Sequence, residues 1–199
     1  MTIHTAIPNI GLGTYMMSPD EAEKMTYEAI KVGYRHIDTA EAYRNEKGVA
    51  ESIKKAISDN IVKRSVRFIT TKVFPGSERW GQSQKTYQDV VEAFNKSLER
   101  LELSYVDLYL IHSAHADQTR VEQWKALIDL KQEGHIKFAG VANWNINHLQ
   151  ELKENNLLLP DTNQIELHPW TQQPELVSYL KENKIHIIAY SSLVLLSTW

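Results

Sequence analysis

The sequence predicts an α/β fold, a (β/α)8 barrel of the TIM-barrel type that is incomplete at about seven strands. Three observations carry that expectation. Short β-branched or aromatic runs alternate with longer segments of helical spacing along the whole chain. The first run ends in GLGTY rather than a GxGxxG turn, which disfavours the competing architecture, an open doubly wound sheet. Polar side chains gather at one end of the runs, as they do at the C-terminal rim of a barrel.

The predicted strands are 7–15, 34–40, 67–73, 106–112, 135–142, 161–167 and 184–191. The clearest helix is 83–101, where Val90, Val91, Phe94, Leu98 and Leu101 recur at i, i+3, i+4 and i+7 with charges opposite. Segments 19–32, 46–58, 119–133, 147–156 and 174–183 read the same way. Ser18 before Pro19, with Glu21 at capping-box distance, marks the start of the first helix. Gly33 and Gly134 stand where a helix end wants a left-handed residue. The whole of 1–199 reads as one barrel domain, with no low-complexity tract and no Gly/Ser linker.

Composition narrows the function class. With 42% hydrophobic and 24% charged residues the chain is ordinary for a globular domain. A net charge of -3 gives no reason to expect nucleic acid or a membrane surface as partner. No apolar run approaches the ~20 residues of a membrane span, and MTIHTAIPNI lacks the build of a secretory signal. The absence of cysteine excludes disulfides and thiolate zinc sites. A reducing, cytoplasmic setting is the expectation.

The strand ends carry the chemistry. Strand 1 ends in Thr14 and Tyr15, strand 2 in Asp38 with Tyr43 in the next loop, and strand 3 carries Lys72. Strand 4 ends in His112, strand 5 in Ala142 and Asn143. Strand 6 carries Asn163, Gln164, Glu166 and His168, and strand 7 ends in Tyr190, Ser191 and Ser192. Taken singly, each has an ordinary reading: a loop aspartate, a packed tyrosine, a satisfied buried histidine. An acid, a phenol, an ammonium and an imidazole at three successive strand ends are harder to explain that way. A phenol titrates near 10, and a neighbouring ammonium is expected to lower that value. A carboxylate would hold the lysine charged, and a histidine could hydrogen-bond a substrate oxygen. The set suits proton donation to a carbonyl. It does not suit acyl transfer, and His112 has no partners at metal-ligand spacing, so no metal is expected.

The stretch GYRHIDTAEAYRNEKGVAESI resembles the first signature of the aldo-keto reductases, a family of (β/α)8 barrels that use NADPH. TTKV, DLYLIHS, GVANWN, NQIELHPW and IIAYSSL resemble further family segments, in family order, over nearly the whole chain. The resemblance implies reduction of an aldehyde or ketone to an alcohol by hydride from NADPH/NADP. It gives Tyr43 the role of general acid, with Lys72 and Asp38 tuning it and His112 orienting the carbonyl. Tyr190 would stack on the nicotinamide, and Asn143 and Gln164 would hydrogen-bond its carboxamide. Ser191 and Leu193 would line the pyrophosphate, and Thr14 would lie near the ribose. Tyr15, Phe74, Ser113 and Trp144 would line the substrate pocket beside His112.

Two positions depart from the family pattern. Ala142 stands where a serine also touches the carboxamide, and Ser113 replaces a bulky aromatic, which should open the pocket to a small-molecule carbonyl. The residues LVLLSTW end just past predicted strand 7, where the resemblance implies an eighth strand and a basic segment for the cofactor phosphate. The expectation is therefore a truncated barrel with two open sheet edges through which it could self-associate. Two alternatives to the reductase follow: a weak or inactive family member serving as an interaction module, and a cofactor-free barrel isomerase or lyase.

Overall fold

The computed structural model describes residues 7–63 and 68–193. Arg67, at the start of predicted strand 3, the first six residues and the end of LVLLSTW lie outside the described residues. Seven parallel strands form one sheet in chain order: β1 Leu12–Gly13, β2 His36–Asp38, β3 Phe68–Val73, β4 Val106–Ile111, β5 Ile136–Ala142, β6 Thr162–Glu166 and β7 His186–Tyr190. Among the described residues six α-helices alternate with them: α1 Pro19–Lys31, α2 Glu46–Ser58, α3 Tyr87–Leu101, α4 Arg120–Gln132, α5 Ile146–Glu154 and α6 Pro174–Glu182. This is the predicted incomplete (β/α)8 arrangement. Among the described residues no helix is long and apolar enough to cross a membrane.

Strand alternation separates two apolar layers. Phe68, Leu108, Leu110 and Ala142, with Phe138 and Ile188, pack inside the curve of the sheet. Ile37, Ile69, Val73, Tyr109, Ile111, Val141 and Ile165 point outward, to a larger core shared with helix residues such as Ile30, Phe94 and Leu127. The register sets Asp38 beside Thr70, and Lys72 beside Leu110. Lys72 and Asp38 thus follow the inward set by parity, which is how two charged side chains reach the interior near its C-terminal end.

Local signals hold where they rest on backbone chemistry. Ser18 and Glu21 form a reciprocal capping box on α1, and Gly33 and Gly134 have φ of 107° and 82°. Two boundaries differ from expectation. Helix α3 begins at Tyr87 because Thr86 and Asp89 cap it there. Strand β1 is only two residues long. Pro8 cannot donate to a ladder, and Gly11 packs its backbone against the His36 ring, where an added Cβ would lie 2.9 Å from the imidazole.

Helices α1 and α2 cross closely because Gly48 has no side chain. A Cβ there would overlap the Pro19 carbonyl and approach the Glu23 amide to 3.2 Å, and both obstacles are backbone. Gly48→Ala is expected to destabilise the fold by about 1–3 kcal/mol in denaturant unfolding. Gly13, whose Cβ position is open, is the control, and an equal effect at both positions would contradict this packing account.

Candidate functional site

The end of the barrel interior is built around a buried ammonium. Lys72 is 0% exposed and its three N–H bonds are all used. It pairs with Asp38 Oδ1, donates to the Thr39 carbonyl at 3.0 Å and lies 3.3 Å from the Tyr43 hydroxyl. The ammonium also sits 4.9 Å from the centroid of the Tyr43 ring. Burial works against the charged form of Lys72, but Asp38 and Tyr43 outweigh it and hold the pKa above the ordinary lysine value.

Tyr43 ends a short 3-10 turn, Glu41–Tyr43, whose C-terminal residue Arg44 is left-handed at φ 57°. The turn folds the phenol back over the strand ends. Its hydroxyl lies 3.4 Å from His112 Nε2, with the two rings edge to face at 5.4 Å. On its other side the Tyr15 ring is 5.1 Å away. The turn is anchored by Glu41, whose carboxylate accepts from the Phe74 amide at 2.6 Å and from Lys85 at 3.0 Å. Burial raises the Tyr43 pKa, and the Lys72 ammonium only partly offsets it. This corrects the expectation of a lowered value. Asp38 cancels part of the ammonium's field, so desolvation wins and the phenol stays protonated at neutral pH.

His112 is held neutral. Its pKa falls to about 4, first through burial and then through the Lys72 charge. Nδ1 is buried with no hydrogen-bond partner among the described residues. An unpaired acceptor costs less than an unpaired donor, which favours the proton on Nε2, toward Tyr43. An unfolded histidine protonates near 6.5, whereas this one resists until about pH 4. Its contribution to stability is therefore complete above about pH 6.5 and lost as pH falls toward 4, by roughly 3 kcal/mol. Unfolding titrations at pH 7 and pH 4 are expected to show His112→Asn with an acid loss smaller by that amount. An unchanged acid limb would contradict the buried neutral imidazole.

Across the barrel, Gln164 of β6 donates from Nε2 to Asp38 Oδ2 at 2.8 Å. Asp38 is thus held from both sides, by Lys72 and by Gln164. Asn143, left-handed at φ 61°, receives the Tyr190 hydroxyl on Oδ1 at 2.8 Å and donates to the His112 carbonyl at 3.1 Å. Its backbone N–H donates to the Gln164 carbonyl at 2.9 Å. Asp38, Asn143, Gln164 and Tyr190 therefore form one hydrogen-bonded surface beside the Tyr43–Lys72–His112 group.

The other predicted site residues fall unevenly. Tyr15 is exposed and Phe74 half-buried at the mouth, and Ser113 has a buried hydroxyl without a partner among the described residues. Ser191 follows β7 in a left-handed conformation, and Leu193 is 88% exposed. Thr14 is fully buried, its hydroxyl 3.2 Å from the Asp38 carbonyl and 3.3 Å from Asn45 Oδ1. Trp144, expected to line the substrate pocket, is buried. Its ring is 0% exposed, lying 5.8 Å from the Arg120 guanidinium and 6.0 Å from His148.

Asn45 is a site-supporting residue that the sequence did not reveal. It is fully buried, accepts from Thr39 at 2.9 Å, and donates to the Thr14 and Met17 carbonyls at 2.8 and 3.0 Å. It fastens the loop after β1 to the loop that carries Tyr43. Next to it, buried Glu46 accepts from Thr71 and Arg100, both at 2.6 Å, and ties α2 to β3 and α3. Their only signal is proximity to the YR turn.

Comparison with known proteins agrees with this architecture. Residues 9–197 match the model of the aldo/keto reductase family. The chain is 42% identical over 188 residues to the methylglyoxal reductase DkgA of Escherichia coli, and 41% identical over 189 residues to a glyoxal reductase of Bacillus subtilis. Each alignment covers 94% of this chain and 64% of the relative, so the chain spans just under two thirds of their length. A solved aldo/keto reductase from Brucella melitensis superposes with a TM-score of 0.82 at 42% identity, over 96% of this chain and 70% of that one. A Bombyx mori aldo-keto reductase in complex with NADP superposes equally well, at 0.82 and 35% identity, over 93% and 62% of the two chains. By fold, strand-end chemistry and these matches, the chain belongs to the aldo/keto reductase family.

Proposed function

We propose that this protein reduces a small aldehyde or ketone to the alcohol, with NADPH as hydride donor and Tyr43 as general acid. The observation that carries the reading is the Tyr43 hydroxyl, 3.3 Å from a buried ammonium and 3.4 Å from a neutral imidazole. The phenol is protonated at neutral pH, as a donor must be. When its proton passes to the substrate oxygen, the Lys72 ammonium is already in place to stabilise the phenolate left behind. His112, with its proton on Nε2, offers a hydrogen bond to the same oxygen. Asp38 keeps Lys72 charged. The phenol regains its proton from water at the mouth.

The residues beside this group suit a nicotinamide. Asn143 and Gln164 are primary amides, each able to donate and accept, as a carboxamide requires. Tyr190 presents a flat ring held in place by Asn143. The cofactor, when bound, supplies the hydride. Relatives named as methylglyoxal and glyoxal reductases support a small carbonyl substrate, and the neighbour crystallised with NADP supports the cofactor. We read residues 1–199 as one reductase-like domain acting in the cytoplasm.

The hydride's path tests the reading. With NADPH carrying deuterium at the transferred C4 position and methylglyoxal as substrate, the account expects one deuterium in the alcohol product. Product without deuterium, or no product at saturating cofactor and substrate, would overturn it.

A further inference from the structure

We infer that Lys85 is a positioning residue for the proton donor: through Glu41 it fixes the turn that carries Tyr43 against the exit of β3. This rests on the reductase reading and adds to it a residue outside the strand-end group. Tyr43 is not held by its own hydroxyl, whose contacts to Lys72 and His112 are as long as 3.3 and 3.4 Å. Nor is its turn self-sufficient. Glu41–Tyr43 is a single 3-10 turn, no side chain caps its start at Ala40, and none of its three residues is fully buried. Its backbone closes on two hydrogen bonds, Tyr43 N–H to the Ala40 carbonyl at 3.0 Å and Arg44 N–H to the Glu41 carbonyl at 3.2 Å. Hydrogen-bond geometry in so short a 3-10 turn is poor. The placement of the phenol therefore depends on what grips the turn from outside.

Two lysines grip it. Lys72 holds the chain just before the turn, at the Thr39 carbonyl, at 3.0 Å. Lys85 holds it at Glu41. Glu41 Oε1 accepts from Lys85 Nζ at 3.0 Å and from the Phe74 N–H at 2.6 Å, and the same Nζ donates to the Phe74 carbonyl at 2.7 Å. Phe74 lies two residues beyond Lys72. The clamp thus ties the phenol's turn to the strand that carries the ammonium facing the phenol. Lys85 has a fixed base of its own. Its N–H donates to the Pro75 carbonyl at 2.8 Å, and its carbonyl accepts at 2.7 Å from Gln123 of α4, a residue with no exposure. Charge-assisted bonds from a lysine anchored in this way hold the carboxylate in one place. The pair is partly open to water, with side chains 26% and 17% exposed. It therefore contributes little to folding, and its loss should show chiefly in the chemical step, where small misplacements are costly.

The test is a double-mutant cycle on the single-turnover rate of NADPH oxidation with methylglyoxal, in protein preloaded with cofactor. That rate is expected to fall about tenfold in Lys85→Met and at least as far in Glu41→Ala. The double variant should be no slower than Glu41→Ala alone, because both substitutions remove the same contact. Lys85→Arg, which keeps a charged donor with several N–H bonds, should restore the rate. Affinity for NADPH, followed by fluorescence quenching, should stay as in the wild type. Amide hydrogen exchange across residues 39–45 should quicken in both single variants. Losses that add in the double variant, wild-type rates in Lys85→Met, or quickened exchange confined to the loop 75–85 would overturn the clamp and leave the reductase reading standing. No NADPH oxidation by wild type, with exchange at 39–45 quickened in both variants, would uphold the clamp and overturn the reductase reading instead.

Discussion

Asp38→Ala is expected to destabilise the protein by about 3–5 kcal/mol, more than Lys72→Met does. The asymmetry follows from what each substitution leaves behind. Without Asp38, a fully buried ammonium keeps only the Thr39 carbonyl and the Tyr43 hydroxyl, neither of them an anion. Without Lys72, the carboxylate still receives Gln164 Nε2 at 2.8 Å and is 14% open to water. The cost of Lys72→Met is then closer to that of one unsatisfied polar group, roughly 1–3 kcal/mol. The pair also sets a pH window. Lys72 has a raised pKa in the fold. Its stabilisation is fully present below the unfolded lysine value of about 10.4 and is lost as pH rises through the folded value. Denaturant midpoints at pH 7 for the wild type and the two variants provide the check. Equal losses, or a larger loss for Lys72→Met, would contradict the buried-ammonium account.

Much of this site is legible in the sequence because a parallel barrel strand leaves few places for a charge. Lys72 within FITTKV, and Asp38 after HI, interrupt runs that should be apolar on both faces. Strand parity then puts both side chains inside, and the loop spacing lets Tyr43 reach them. Gln164 and Asn143 are visible for the same reason, as polar residues at the ends of buried strands. What the sequence hides is the scaffolding in loops, where a polar residue ordinarily means solvent. Asn45, Glu41 and Glu46 follow the second strand in a charged stretch, yet they are buried or half-buried hydrogen-bonding anchors. Nothing in their spacing separates them from Arg44 or Lys47, which are exposed. Trp144 is the opposite case. Its place after β5 suggests the mouth, and its ring is fully buried. The sign of the Tyr43 shift was likewise out of reach, because it depends on burial weighed against two opposite charges. The short β1 reflects a proline and a glycine that pairing patterns do not register.

Tyr43→Phe carries the largest expected effect on activity. The substitution removes one oxygen, whose protein contacts are the Lys72 ammonium and His112 Nε2 at 3.3 and 3.4 Å. Both distances are long, and the phenylalanine ring keeps the contacts to Tyr15 and His112 that the phenol ring makes. Stability should therefore fall modestly, by about 1–3 kcal/mol, for the acceptor that the buried Lys72 ammonium loses. Catalysis should not survive in the same way. On the proposed reading the variant has no proton donor, and charge developing on the substrate oxygen is left to a neutral imidazole and to the Lys72 ammonium. General acid catalysis of this kind contributes about 10²- to 10⁴-fold. The loss should fall mainly on kcat, because the hydroxyl acts as charge develops and contributes less to holding the substrate. The most direct measurement is the rate of NADPH oxidation with methylglyoxal by wild type and Tyr43→Phe, at matched melting temperatures. The account predicts a kcat lower by about 10²-fold or more in the variant, and equal rates would contradict it.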